Sequence, residues 1–140
     1  MRTLRILTVV AFVLVVVLLL HEGPKQLAPG YSPAAESTAD GVIVEVRQYW
    51  CPINGDEGTH LLLKTSTGTL EVHVAPRRFL NGNGVTFNQG DQVSVVGSMV
   101  NYQGHESMIA RKITRGDQTF AVRQPDGQPL WVEPAHFYVR

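Results

Sequence analysis

Apolar and polar side chains alternate in short segments along this chain, recurring about every ten residues between clusters of Gly, Pro, Asn and Asp. In GVIVEVRQYW, Gly41–Trp50, the residues Val42, Val44 and Val46 alternate with Ile43, Glu45 and Arg47. THLLLKT (59–65) and TLEVHVA (69–75) follow, joined by a turn around Ser66–Gly68. Another pair runs from about Asp91 to Val100 and over SMIARKI, and a TRGDQ turn leads into TFAVR. Helical character is confined to APRRFLNGNG, where Pro76 near the first helical position and Gly82 beyond the end bracket one or two turns. Period two with so little helix excludes a helical bundle and a parallel α/β sheet.

Five main strands with a helical plug between the third and fourth imply an all-β, small, OB-fold-like Greek-key barrel with one short helix. Phe79 and Leu80 would close its end. An SH3-like barrel or a compact sandwich is the structural alternative. QGDQVSVVGSMVNYQGHESMIARKI looks like the fourth and fifth strands of OB-fold proteins, with a Gly90–Asp91 turn starting a strand that ends in Gly97. Over residues 41–123 the chain resembles small exported bacterial OB-fold proteins, the periplasmic kind linked to stress tolerance. That resemblance implies the fold; it carries over no catalytic residue, because OB-folds host unrelated functions.

The N-terminus is patterned differently. Arg2 and Arg5 precede fifteen residues without a charge, Ile6 to Leu20, and a basic flank of this kind stays cytoplasmic. The run lies between the apolar core of an export signal and the shortest spanning helix. LLLHEGPKQ lacks a small-x-small cleavage pattern, which favours an uncleaved anchor over residues 4–21. The expected organisation is therefore a hydrophobic helix acting as signal anchor or signal peptide over 1–21, a Pro/Gly/Ala linker over 22–40, a barrel over 41–133 and a tail over 134–140. The barrel would lie outside the cytoplasm, either tethered to the membrane by a single pass or released after cleavage.

Nine Lys/Arg and nine Asp/Glu between residues 41 and 140 leave the domain without the excess positive charge that drives phosphate-backbone binding. Single-stranded nucleic acid is thus the alternative that the fold favours and the charge opposes. An envelope protein or a small ligand is the expected partner.

The hairpin over 58–76 carries the candidate site. Leu61 and Leu63 must share a face with Leu70, Val72 and Val74, which places His60, Leu62, Lys64, Glu71 and His73 on the other, solvated face. A two-residue loop at Thr67–Gly68 sets Lys64 opposite Glu71; a four-residue loop at Thr65–Gly68 sets His60 opposite His73. In the second register two imidazoles can share a divalent metal, with Cys51 or His105 as third ligand. Metal or haem handling by His60, His73 and Cys51 is accordingly a further alternative; no cofactor is predicted, and the pattern leaves room for a divalent metal. Ligand contacts are expected from Tyr49, Trp50, His60, Lys64, His73, Arg77 and Tyr102, which lie on the strands and loops that bind ligands in OB-folds.

No enzyme is expected. G-x-S-x-G, C-x-x-C-H, H-E-x-x-H and the phosphate-cradling glycine patterns are all missing, and Asp91 and Asp117 sit in Gly-Asp turns as turn formers.

Overall fold

The computed structural model describes residues 1–20 and 29–132. Its elements are helix α1 (Arg2–Leu20), strands β1 (Glu36–Cys51), β2 (Asp56–Thr65) and β3 (Gly68–Pro76), helix α2 (Arg77–Gly82), and strands β4 (Gln92–Tyr102), β5 (His105–Arg115) and β6 (Gln118–Ala121). The sheet order is β3-β2-β1-β4-β5-β6, and a parallel pairing of β3 with β5 joins the ends of the first five strands into an OB-fold-like barrel. Neighbouring strands otherwise run antiparallel.

β1 is long because it serves two partners. Glu36–Val42 pairs with β4 and Val42–Cys51 with β2. The expected linker over 22–40 is corrected here: a single 3-10 turn at Pro33–Ala35 leads straight into β1 at Glu36. ESTAD shows no apolar alternation, yet its backbone pairs with β4 and Glu36 is held by side chains. Arg111 donates to both of its carboxylate oxygens, at 2.8 and 2.7 Å, and the Tyr31 hydroxyl donates to one of them. Residues 21–28 of the linker and the expected tail over 134–140 lie outside the described residues.

A bulge at Val44, between Ile43 and Glu45, changes the face that β1 turns inward. Ile43 is fully buried and Val46 packs against the core, so the simple set of Val42, Val44 and Val46 does not hold. The core contains Leu61, Leu63, Val72, Val74, Val95, Met108 and Ile113, all at 0 % exposure. Each such burial is worth about 1.5–3 kcal/mol. Leu80 on α2 is buried, and Phe79 packs against the core and Trp131, which is the expected plug. TFAVR adds a sixth strand over Gln118–Ala121 where five were expected. Four residues paired to β5 alone are too few to register as a main strand in the pattern.

Gly97 does not end β4 but sits within it, beside a bulge. A Cβ there would stand 2.3 Å from the carbonyl oxygen of Ile109, so only glycine allows the two backbones to approach this closely.

α1 is helical, but no helix among the described residues is long and apolar enough to cross a membrane. The expected single-pass span over 4–21 is not borne out. Fifteen uncharged residues rise only about 22 Å as a helix, against a hydrocarbon core of about 30 Å.

Two outcomes follow from these contacts. Gly97→Ala should destabilise the barrel by about 1–3 kcal/mol, read from denaturant midpoints, because a backbone oxygen cannot move aside. Arg111, then Tyr31, hold the Glu36 carboxyl down at about 2 from its ordinary 4.5. The stability this contact contributes is present above pH 4.5 and lost as pH falls towards 2. Glu36→Gln should therefore lower the thermal midpoint at neutral pH and flatten its fall between those limits.

Candidate metal centre

The β2–β3 hairpin pairs Thr65 with Gly68, leaving Ser66 and Thr67 as a two-residue loop, and in this register His60 lies opposite His73. Lys64 pairs with Thr69, not Glu71. The two histidines are on the face away from Leu61 and Leu63, as period two requires, but around them the expectation of a solvated face is wrong. His60 is 0 % and His73 6 % exposed.

The cover is supplied by strands on either side. On β1, Arg47 pairs with His60, so Tyr49 and Cys51, two and four residues on, share the outer face. The Tyr49 ring stacks on His60, centroids 3.8 Å apart at 23°. The Tyr49 hydroxyl donates to Glu71, which faces the same side. On the far edge, β5 runs alongside β3 and pairs Ile109 with His73. A bulge at Val74, between the pairs His60–His73 and Thr59–Ala75, re-aims the strand next to the site.

Within this cover lie three potential ligands. Cys51, His60 and His73 are all buried, and their ligand atoms fall within 4.8 Å of one another. Sγ of Cys51 is 3.5 Å from Nδ1 of His73, and the imidazoles of His60 and His73 meet edge to face at 4.6 Å. The 3.5 Å spacing suits a weak thiol–imidazole hydrogen bond. It also suits shared ligation, since a thiolate at about 2.3 Å and an imidazole at about 2.0 Å from one tetrahedral ion stand roughly 3.5 Å apart.

His60 is oriented but unsatisfied. Its Nδ1 lies 3.3 Å from the Glu71 carboxylate, close enough for charge attraction, yet without the alignment of a hydrogen bond; neither ring nitrogen has a hydrogen-bond partner. Nε2 faces the opposite side, towards Gly58 and Cys51. A Cβ at Gly58 would stand 2.8 Å from Cβ of Cys51 and 3.3 Å from Nε2 of His60, so glycine lets the backbone lie close against both residues. An orphaned nitrogen at the end of a carboxylate–imidazole pair is the arrangement in which a histidine receives a metal.

Electrostatics keep both imidazoles neutral. Burial, then the neighbouring His73, hold His60 down at about 4, and burial lowers His73. Burial pushes the Cys51 thiol up. Burial acts upward on Glu71, but the hydrogen bond from the Tyr49 hydroxyl leads the contacts that outweigh it and leave the carboxyl below its ordinary value. Neutral imidazole is the metal-binding form.

The other expected ligand residues disperse. Trp50 is 67 % exposed at the end of β1, and Lys64 projects into solvent on another part of the sheet. Arg77 pairs with Glu57 at 3.1 Å. Tyr102 and His105 lie across a cleft of about 300 Å³ that Tyr49, Glu71 and His73 also line. His105 is exposed and outside the three-residue cluster, which leaves Cys51 as the third donor. Sequence reasoning treated Glu71 as an ordinary surface acid and gave Gly58, Asn54 and Arg123 no role. Arg123 is buried against Trp131, 4.7 Å from its guanidinium carbon to the ring centroid, and its side chain reaches Asn54 at 3.5 Å. Burial lowers its pKa to about 10. No local pattern in QTFAVRQ signals that placement.

No curated protein matches the chain. Among solved structures, the Stn1–Ten1 complex of S. pombe is similar over 64 % of this chain and 71 % of that one, with 14 % identity and a TM-score of 0.47. The sequence pattern of the MamS/MamX magnetosome protein family matches residues 35–120, more than half of the 140, which are the residues that form the barrel and the cluster. The chain belongs to the MamS/MamX magnetosome protein family.

Proposed function

We propose that this protein is a non-catalytic, exported binding module whose ligand is a transition-metal ion held by Cys51, His60 and His73. One observation carries the reading: a fully buried histidine with no hydrogen-bond partner on either nitrogen, placed within 4.8 Å of a buried thiol and a second buried imidazole. Leaving a buried polar atom unpaired costs about 1–3 kcal/mol, and an ion on Nε2 would remove that cost at the nitrogen that does not face Glu71. Export is supported by Arg2 and Arg5 ahead of an apolar run whose fifteen residues fall within the range of a signal-peptide core. A family named for magnetosomes is in keeping with a module at a membrane surface. Nucleic-acid binding has less support, since the domain is neutral and Tyr49 spends its ring on His60 rather than presenting it for stacking.

Calorimetric titration of the metal-free, reduced full chain with Zn²⁺ and with Cu⁺ tests the reading. A single ion per chain is expected for at least one of them. Cys51→Ser, which keeps the side-chain shape, should abolish tight binding while circular dichroism stays that of the parent. Glu71→Gln removes no ligand but weakens the hold on His60, and should reduce affinity about 10- to 100-fold. Failure of both ions to bind would overturn the reading and return the cluster to a packing role.

A further inference from the structure

We infer that the Cys51–His60–His73 centre is a cuprous site, taking Cu⁺ in preference to Zn²⁺. The inference rests on the metal-binding reading above and adds the identity of the ion.

Donor type comes first. One sulfur and two imidazole nitrogens form a soft set, and no carboxylate joins them; Glu71 approaches the outer nitrogen of His60 and is engaged by Tyr49. A His₂Cys set is the trigonal ligand class of electron-transfer copper centres, whereas zinc completes four ligands and takes a water where the protein gives three. Among the described residues the cluster has three. Three donors satisfy Cu⁺, and they leave Zn²⁺ in need of a further ligand.

Charge points the same way. The Glu71 carboxylate stands beside His60, and the charges of Arg47 on His60 and of the buried Arg123 on Cys51 oppose it. With the thiol deprotonated, Cu⁺ and its three donors are neutral together, while Zn²⁺ leaves an extra positive charge on the same donors in a region where His60 is wholly and His73 almost wholly removed from water. A buried net charge is strongly disfavoured unless another group balances it. Access exists for the ion, because His73 belongs both to the cluster and to the cleft of about 300 Å³ lined by Tyr102 and His105.

The test uses the full chain, metal-free and kept anaerobic. Cu⁺ affinity is measured by competition with a chromophoric cuprous chelator and Zn²⁺ affinity with a chromophoric zinc indicator. Cu⁺ should bind at one per chain and at least about a hundredfold more tightly than Zn²⁺. X-ray absorption at the copper edge should show one sulfur and two nitrogen donors at three-coordinate distances, a readout that needs no variant. Zn²⁺ binding as tight as Cu⁺, or a copper shell without sulfur, would overturn the cuprous assignment and leave metal binding intact. Binding of neither ion would overturn both.

Discussion

The pairing of Thr65 with Gly68 across a two-residue loop governs both halves of this molecule. With that register set, Leu61 faces Val72 and Leu63 faces Leu70 on the barrel side, and His60 faces His73 on the other. The Thr65 hydroxyl reinforces the turn by donating to the Gly68 carbonyl at 2.8 Å. A one-residue slip would turn the aliphatics outward and the imidazoles into the core, at the cost of several buried side chains worth about 1.5–3 kcal/mol each. The cluster therefore inherits its geometry from the core. Its two histidines cannot drift apart without moving the residues that close the barrel.

The outer face of a small barrel is ordinarily wet, and here it is dry over His60 and His73 because neighbouring strands overhang it. β1 contributes Tyr49 as a lid on one imidazole and Cys51 as a donor beside the other. β5 closes the far edge by pairing in parallel with β3. Dryness then sets the protonation states. Both imidazoles are pushed towards the neutral form and the thiol towards the protonated form, so uptake of an ion by these three groups would release a proton from Cys51 but none from the histidines.

Local pattern carried the strands, the face assignment and the plug, because period two and turn residues are local properties. It offered two registers for the hairpin, and the choice between them depended on how tightly Ser66–Gly68 turns. It missed the start of β1, since ESTAD has the composition of a spacer and becomes strand only by pairing with β4, some sixty residues away (Glu36 opposite Ser98). The bulge at Val44 exchanged the inward residues of β1 without any Gly or Pro to announce it. The Cys51–His60–His73 cluster was half legible: the opposition of His60 and His73 follows from spacing, but their burial depends on Tyr49, Cys51 and β5, which meet the hairpin only in three dimensions.

Buried polar atoms without partners are rare in native proteins, because each loses its hydration and gains nothing in return. His60 has two such atoms, and glycine at 58 lets the backbone lie close beside its Nε2. A barrel selected for stability alone would be served as well by an apolar residue at 60, stacked under Tyr49 in the same way. The surrounding groups are instead a carboxylate at Nδ1, an aromatic lid holding that carboxylate, and a thiol and a second imidazole whose ligand atoms come within 4.8 Å. Where local chemistry works against the fold and its neighbours are arranged to exploit the conflict, function is the more economical explanation than imperfect packing.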